Sequence, residues 1–561
     1  MSSVNVCFVH APSIYDFRTR DLREGPISDV VPSTPVFEMY PVGFISMLSY
    51  LTRHGYSARI SNLAVLMLSS KKFNAEAYLK GIEADIFGID LHWLPHVHGA
   101  FEISKIIRKI HPESRILFGG FSSTYFAEDI MKSNQNVDFV MAGDFVEDQV
   151  MKLAEAVEKG KPFDTIPNLV YREGTAIRKN PRSRDPEAVS RVFIDYKTLV
   201  RNSIIYHDIK GHLPYYSWVT NPVGMTIIQR GCQFNCGFCG GSNFAYRNNY
   251  YEISPVKRNP ETIALELEAV QDTINSPVFL AGDINATGEK YYTALLQAIR
   301  DRGIDLPLLT EYFVPPPEEY FRAFSRTVPD FACEISPDSS DQNIRRETGR
   351  FYTNQELEKS IQYAAENGAR KFDVYFSIGL PLQTKESVTR DADYLDFMMN
   401  KYSSEKMPVY GFISPLTPFL DPGSLFYEMP EKYGFSIIAH KIMDYYNLLD
   451  RGKSWEDFLN YETKWMSKSD MVEATYQSGI RMVESGSRMG YIDSTSGKRI
   501  VNNILSYMNG ETYTPQSDKS KHLTYLVKEI DWSRKHGISA FSMMIFSYSL
   551  FERIRRTITR N

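Results

Sequence analysis

Cys232, Cys236 and Cys239 lie in the run Arg230-Gly231-Cys232-Gln233-Phe234-Asn235-Cys236-Gly237-Phe238-Cys239-Gly240-Gly241, a C-x3-C-x2-C pattern with an aromatic residue before the third cysteine. Thiolates this close together suit an iron–sulfur cluster, a cofactor normally held by cysteine. Three ligands leave one iron of a four-iron cluster open to a group that is not cysteine. A structural zinc site would want a fourth cysteine or a histidine at finger-like spacing. The nearest histidines are His212 upstream and His440 far downstream, so zinc fits poorly. The chain has five cysteines, and such sparse use argues for reduced thiols over disulfides. The two left over, Cys7 and Cys333, sit far apart in apolar strand-like runs and read as small buried hydrophobes. A second cluster has no ligands to draw on.

The elements that must position this run are legible in outline. At 561 residues the chain exceeds one simple core and should hold about two to four domains. Its 43% apolar and 23% charged residues are ordinary for a globular protein, and a net charge of −5 gives no sign of a nucleic-acid surface. The sequence opens on strand-like Val4-Asn5-Val6-Cys7-Phe8-Val9 with no basic segment leading into an apolar stretch, so no secretory signal is expected. No uninterrupted apolar run is long enough to span a bilayer. The expected location is the cytoplasm.

Residues 1–158 alternate strand-like runs (Val4–Val9, Ser57–Ile60, Ile86–Ile89, Arg115–Phe118, Val137–Met141) with helix-like stretches (Phe44–His54, Gly99–Ile110, Ala127–Asn134). This predicts an α/β domain, a parallel sheet with helices on both faces, whose ligands bind beyond the carboxyl ends of the strands. The segments there are Tyr40-Pro41-Val42-Gly43, Asp90-Leu91-His92-Trp93, Gly119-Gly120-Phe121-Ser122-Ser123 and Ala142-Gly143-Asp144. His92, His96 and His98 crowd one loop; ordinary packing and hydrogen bonding is the favoured reading over a metal site.

After a linker rich in Pro, Arg and Asp over 159–221, a second alternation fills 222–430. Strand-like Met225–Ile228 leads at once into the cysteine run. Val278–Ala281 ends in Gly282-Asp283-Ile284-Asn285, Leu308–Phe313 follows, and Phe331-Ala332-Cys333-Glu334-Ile335-Ser336-Pro337 is next. Phe372–Ile378 runs into Gly379-Leu380-Pro381-Leu382-Gln383-Thr384-Lys385-Glu386, and Val409–Ser414 into Pro415-Leu416-Thr417-Pro418 and Asp421-Pro422-Gly423-Ser424. The alternation predicts a second unit of parallel strands and helices, with its site at the carboxyl ends of the strands. Residues 431–561 read as a mostly helical domain in which Trp455, Trp465 and Trp532 serve a core or cap. The stretch 537–561, apolar and then basic, reads as a buried last helix with a solvated tail, or as a peripheral membrane contact.

The cysteine run, placed after a strand, resembles the signature of radical SAM enzymes, and the ordered loops ahead of it resemble their cobalamin-binding domain. In that family S-adenosylmethionine (SAM) occupies the open iron and is cleaved to a 5′-deoxyadenosyl radical. The resemblance implies a partial (β/α) barrel over 222–430; a [4Fe-4S] cluster on Cys232, Cys236 and Cys239; SAM near Phe238, Gly282, Asp283, Glu334 and Ser336; and cobalamin near Tyr40, Asp90, His92, Trp93, Gly119, Gly120, Ser122 and Gly143. Asp283 is expected to hold the methionine amino group, and Arg345 or Arg346 stands where relatives carry a basic residue. The stretch His10-Ala11-Pro12-Ser13-Ile14-Tyr15-Asp16 departs from the D-x-H-x-x-G of domains that supply a histidine to cobalt. The implied function is C–C bond formation at an unactivated carbon, first C-methylation, or else ring closure as in porphyrin cyclases and tetraether-lipid ring synthases. A small-molecule or lipid substrate and a reductant protein such as ferredoxin or flavodoxin are the implied partners.

Overall fold

The computed structural model describes residues 3–22, 35–144, 146–182, 185, 187–250, 255–415 and 419–509. Strands β1 (Val4–His10), β2 (Ala58–Asn62), β3 (Ala84–Asp90), β4 (Arg115–Gly119) and β5 (Phe139–Met141) pair in parallel in the order β2-β1-β3-β4-β5. β1, β2 and β3 are buried along almost their whole length, as expected of a parallel sheet covered on both faces. The crossover helix Gly43–Arg53 follows β1 toward β2, and Val97–Ile110 follows β3 toward β4. Right-handed crossovers in these opposite directions put the two helices on opposite faces. The strand order reverses between β1 and β3, which makes the crevice at His10 and Asp90 the topological switch point.

The segment read from sequence as a linker is folded into this unit. β6 (Leu169–Glu173) and β7 (Ala176–Lys179) form a hairpin that extends the sheet antiparallel from β5. Helices Tyr196–Ile205 and Ile209–His212 lie against the Gly43–Arg53 helix and β2. The short alternation Leu169-Val170-Tyr171 was masked by its polar surroundings, and burial of those three residues outweighs composition.

The second sheet runs β8 (Gly224–Ile227), β11 (Val278–Ala281), β12 (Leu308–Tyr312), β13 (Phe331–Asp338), β14 (Phe372–Ile378) and β15 (Val409–Pro415), all parallel in that order. A two-stranded ribbon of β9 (Gln229–Arg230) and β10 (Val256–Lys257) stands beside it. The barrel is partial. Its strands alternate: Thr226, Leu280 and Thr310 are buried beneath helices, whereas Met225, Phe279, Glu311, Glu334 and Tyr375 are half-buried on the lumen side. Arg258 and Glu266, fully buried as an ion pair, tie this sheet to the first unit by accepting Ile194 N–H on Glu266 and donating to Val192 O.

In the carboxyl-terminal part, the helix Lys468–Arg488 packs on Lys385–Tyr402 and β15, and Ser494–Met508 packs on it in turn. The helix Ile442–Arg451 docks instead on Val97–Ile110 of the first unit, so this region braces both sheets. Trp455 is buried and donates from Nε1 to Tyr476 (3.2 Å). Trp532 and the stretch 537–561 lie outside the described residues. No helix among the described residues is long and apolar enough to cross a membrane.

Candidate functional site

The cysteine loop leaves β8 through Arg230, which donates to Glu147 (2.5 Å) and to Asp144 Oδ1 (3.2 Å) of the first unit. Both Arg230 and Glu147 are buried. Tyr246, after the loop, donates to the other Asp144 oxygen (2.5 Å). Phe121 stacks on His92 (4.6 Å between centroids) and reaches Tyr250 (5.0 Å). The carboxyl ends of the two sheets therefore face each other, with the cysteine loop beside their contact.

That loop is clamped from three sides. Gly237 N donates to Thr348 O (3.1 Å), and Gly237 O accepts from Phe426 N (2.8 Å). Gly240 N donates to Asp421 (2.9 Å). Asn243 Nδ2 donates to Cys232 O (3.0 Å). Gly349 lies at φ +95°, and a Cβ there would meet Asn235 O at 2.6 Å. Gly349→Ala should therefore cost about 1–3 kcal/mol from backbone strain and overlap and lower iron incorporation. Denaturant unfolding together with iron per chain checks this.

Cys236 is buried, and Cys232 and Cys239 are partly so. Burial pushes all three thiols up, Cys232 to about 11, and each of the other two thiols adds to the rise at Cys239. Iron would remove that cost by binding the thiolates. Backbone amides of Phe234 and Gly241 donate to Cys232 Sγ (3.4 Å) and Cys239 Sγ (3.3 Å), the kind of contact that tunes a cluster. Among the described residues no three His, Cys, Asp or Glu groups converge on a single metal ion. A four-iron cluster asks something else, a different iron for each thiolate, and three neighbouring thiols without a fourth ligand fit it. Phe238 packs at the edge of the core.

Asp283, buried, turns its carboxylate to the amides of Ala286 (2.8 Å), Phe313 (2.7 Å) and Val314 (3.3 Å). It organises the loops beyond β11 and β12. The acid that meets Gly282 is one the sequence reading omitted: Glu311 accepts from Gly282 N (2.5 Å). Glu311, Glu334 and Asp373 share one register across β12, β13 and β14, and Asp373 pairs with Lys371 (2.6 Å). Ser336 lies two residues beyond Glu334 on the same face of β13, also half-buried. A signal existed in sequence, since Glu311 alternates in phase with Leu309 on its strand. Burial raises Glu311 to about 7; burial, then Glu311 and Asp373, raise Glu334 to about 8.

A carboxyl with a raised folded pKa keeps its proton where the unfolded chain has lost it. Stability should therefore fall as pH rises from about 4.5 to about 8 and level off above that. Glu334→Gln should flatten this slope, as urea unfolding at a series of pH values would reveal.

Arg350, buried, completes this side. It donates to Asp338 (3.3 Å) and Phe313 O (3.2 Å) and lies over the Phe313 ring. Its charge lowers the thiol pKa of both Cys232 and Cys236 against the upward push of burial. Arg345 is instead a structural residue, fully buried on Ser339 O and Tyr352 O, while Arg346 is exposed.

In the first unit, His10 Nδ1 contacts Asp90 (2.9 Å) at the switch point, and His10 Nε2 contacts Phe37 O (3.1 Å). Trp93 stands against Phe37 (5.1 Å). The three loop histidines diverge: His92 toward Phe121, His96 onto Phe37 (4.7 Å), and His98 toward Asp450 (3.3 Å) and Tyr446. Other expected ligand residues serve the fold. Tyr40 donates to His212 O (2.9 Å), Ser122 to His92 O (3.0 Å), and Gly143 N to Thr124 Oγ1 (2.8 Å). Gly119 O accepts from Leu91 N (2.8 Å), and a Cβ on Gly120 would meet His92 Cα at 2.5 Å, so that glycine answers to its own domain. Ser13 Oγ, His96 Nδ1 and Ser123 Oγ are buried without a hydrogen-bond partner among the described residues. They follow β1, β3 and β4, and three orphaned polar atoms at one sheet end fit a large ligand rich in amides.

Residues 226–395 match the Radical SAM superfamily and form a radical SAM domain. The chain is 23% identical over 336 residues to the uncharacterized methyltransferase PH0819 of Pyrococcus horikoshii, covering 57% of this chain and 67% of that one. It is 23% identical over 273 residues to the hopanoid C-3 methylase of Methylococcus capsulatus, covering 48% of each. The alignment thus spans about half the length of that methylase. In fold it is similar to the radical SAM methyltransferase TsrM of Kitasatospora setae, solved with cobalamin and a [4Fe-4S] cluster bound (TM-score 0.59, 14% identity, 87% of this chain and 89% of that one).

Proposed function

We propose, from the radical SAM domain over 226–395, that this chain is a cobalamin-dependent radical SAM enzyme that methylates an unactivated carbon. The observation that carries the reading is the clamped three-cysteine loop where the carboxyl ends of two parallel sheets face each other. The similarity to PH0819, the hopanoid methylase and TsrM supports it.

When bound, the cluster and SAM supply a carbon radical that takes hydrogen from the substrate, and cobalamin supplies the methyl group. The chain's own part is placement. Cys232, Cys236 and Cys239 hold the cluster, with Thr348 O, Phe426 N and Asp421 fixing their loop. Glu311 and Glu334 offer the lumen side to the positive charge and hydroxyls of SAM, and Arg350 offers a cation to its carboxylate. His92, Trp93 and the orphaned Ser13 and Ser123 hydroxyls face the corrin side. Arg230 holds the two halves in register.

The test uses anaerobically reconstituted protein with cobalamin, SAM carrying a deuterated methyl group, a strong reductant and a lipid extract. 5′-Deoxyadenosine and S-adenosylhomocysteine in comparable amounts, with label in a product, support methylation. Deoxyadenosine without S-adenosylhomocysteine favours ring closure, and the absence of both products would contradict the reading.

A further inference from the structure

Charge is divided unevenly along this chain. Residues 510–561 hold nine Lys and Arg against five Asp and Glu, a net of +4; the whole chain carries −5, so residues 1–509 carry −9. A basic segment on an acidic chain points to an anionic partner. Within that segment 537–551 has no charged residue, and Arg534 and Lys535 precede it while Arg553, Arg555 and Arg556 follow it. At 15 residues the uncharged stretch is too short to cross a bilayer, which takes about 20. Phe541, Phe546, Tyr548 and Phe551 supply aromatic rings. Apolar and aromatic groups between cations match the order of a lipid interface, with rings at headgroup depth and cations on anionic headgroups.

The folded part shows from which side this segment departs. The helix Lys468–Arg488 begins at the carboxyl ends of the barrel strands: a Cβ on Gly379, just beyond β14, would meet Met471 Sδ at 2.9 Å, and Lys385 pairs with Asp470 (3.3 Å) and Glu473 (3.0 Å). The helix runs down to the opposite end, where Tyr491 donates to Ser403 (2.8 Å) and packs on Tyr410 near the start of β15 (4.6 Å). The helix Ser494–Met508 then turns back along it, bringing Tyr507 to Tyr476 (5.3 Å). The chain therefore heads toward the end of the barrel that carries the cysteine loop as it leaves the described residues.

This last helix has an apolar side that nothing among the described residues covers. Val501, Leu505 and Met508 recur at i, i+4 and i+7 and so share one face; Leu505 and Met508 are exposed, and Val501 is half-buried. Lys498, seven residues before Leu505, lies on the same side and is exposed, as is Arg499. The helix contains no Asp or Glu. An apolar face whose charges are all positive continues directly into the basic, aromatic segment, and both suit an apolar layer with an anionic surface.

We propose that the chain docks on anionic lipid bilayers through Val501, Leu505 and Met508 together with the segment 534–560. Docking brings the carboxyl ends of the barrel strands toward the membrane. The proposal stands independently of the chemistry proposed above.

The test is co-sedimentation of the full chain with phosphatidylcholine vesicles, with and without a third of phosphatidylglycerol. The wild type should bind the anionic vesicles about tenfold or more tightly than the neutral ones and lose binding as salt rises. Arg553→Glu with Arg555→Glu and Arg556→Glu, and separately Leu505→Asp with Met508→Asp, should each weaken binding about tenfold or more. Lys71→Glu with Lys72→Glu and Lys80→Glu, an equal change of charge at exposed sites of the first unit, should leave binding unchanged. Circular dichroism and iron per chain should match the wild type in all three variants, because every substituted residue with a described position is exposed. A wild type that stays in the supernatant, as it would if the segment served an acidic protein instead, would overturn the proposal. Equal binding to neutral vesicles, or an equal loss in the control variant, would overturn it too.

Discussion

Cys236→Ala should give a folded but colourless protein whose iron falls to background and whose reductive cleavage of SAM drops on the order of 10³-fold or more. Cys236 is the buried member of the three, and its neighbours Asn235 and Gly237 carry the contacts to Gly349, Thr348 and Phe426. Those contacts are made by backbone and persist without the thiol, so the loss falls on the cluster and not on the loop. Cys333, fully buried on β13, is the control. Cys333→Ala should retain iron and cost about 1 kcal/mol as a small cavity. Iron analysis and 5′-deoxyadenosine by mass spectrometry separate the two.

Arg230→Ala carries the second large effect. It leaves Glu147 and Asp144 without their cation, and among the described residues only Ser46 (2.8 Å) still donates to the buried Glu147 side chain. Removing one partner of a buried charge cluster costs about 3–5 kcal/mol. The loss should appear as a lower unfolding midpoint and as new protease cleavage between the two sheets. Arg230→Ala with Glu147→Gln should recover part of it, because the stranded charge is then gone. A single variant as stable as the wild type would mean that the two halves are held elsewhere.

How far the sequence foretold this depends on the range of the interaction. The cysteine run, the strand before it and the turn Gly379-Leu380-Pro381-Leu382-Gln383 are local. Gln383 closes that turn itself, accepting from Gly379 N and Leu380 N and donating to Ser377 O, so its residues announced it. The doubly covered sheet followed from alternation, which is also local, whereas the partial barrel followed from the family resemblance of the motifs at its strand ends. The hairpin β6–β7 was hidden because polar flanks disguised a short buried strand. Glu311 was missed because its meaning comes from Gly282 on one side and Glu334 on the other, strands apart in sequence. Arg350 was passed over for Arg345 and Arg346 because only the fold tells which of the three arginines turns toward the cysteines. Leu416-Thr417-Pro418 of the closing segment falls outside the described residues, whereas Asp421 and Phe426 just beyond it hold the loop.

The most direct measurement is electron paramagnetic resonance on protein loaded with cob(II)alamin and a reduced cluster together. On the proposed reading, the facing sheet ends, joined through Arg230, Tyr246 and Phe121, would hold both cofactors close to one another. The account predicts that the two spins broaden each other's signals, and that SAM alters the cluster signal. Two unperturbed, additive spectra, or retention of only one of the two cofactors, would contradict it.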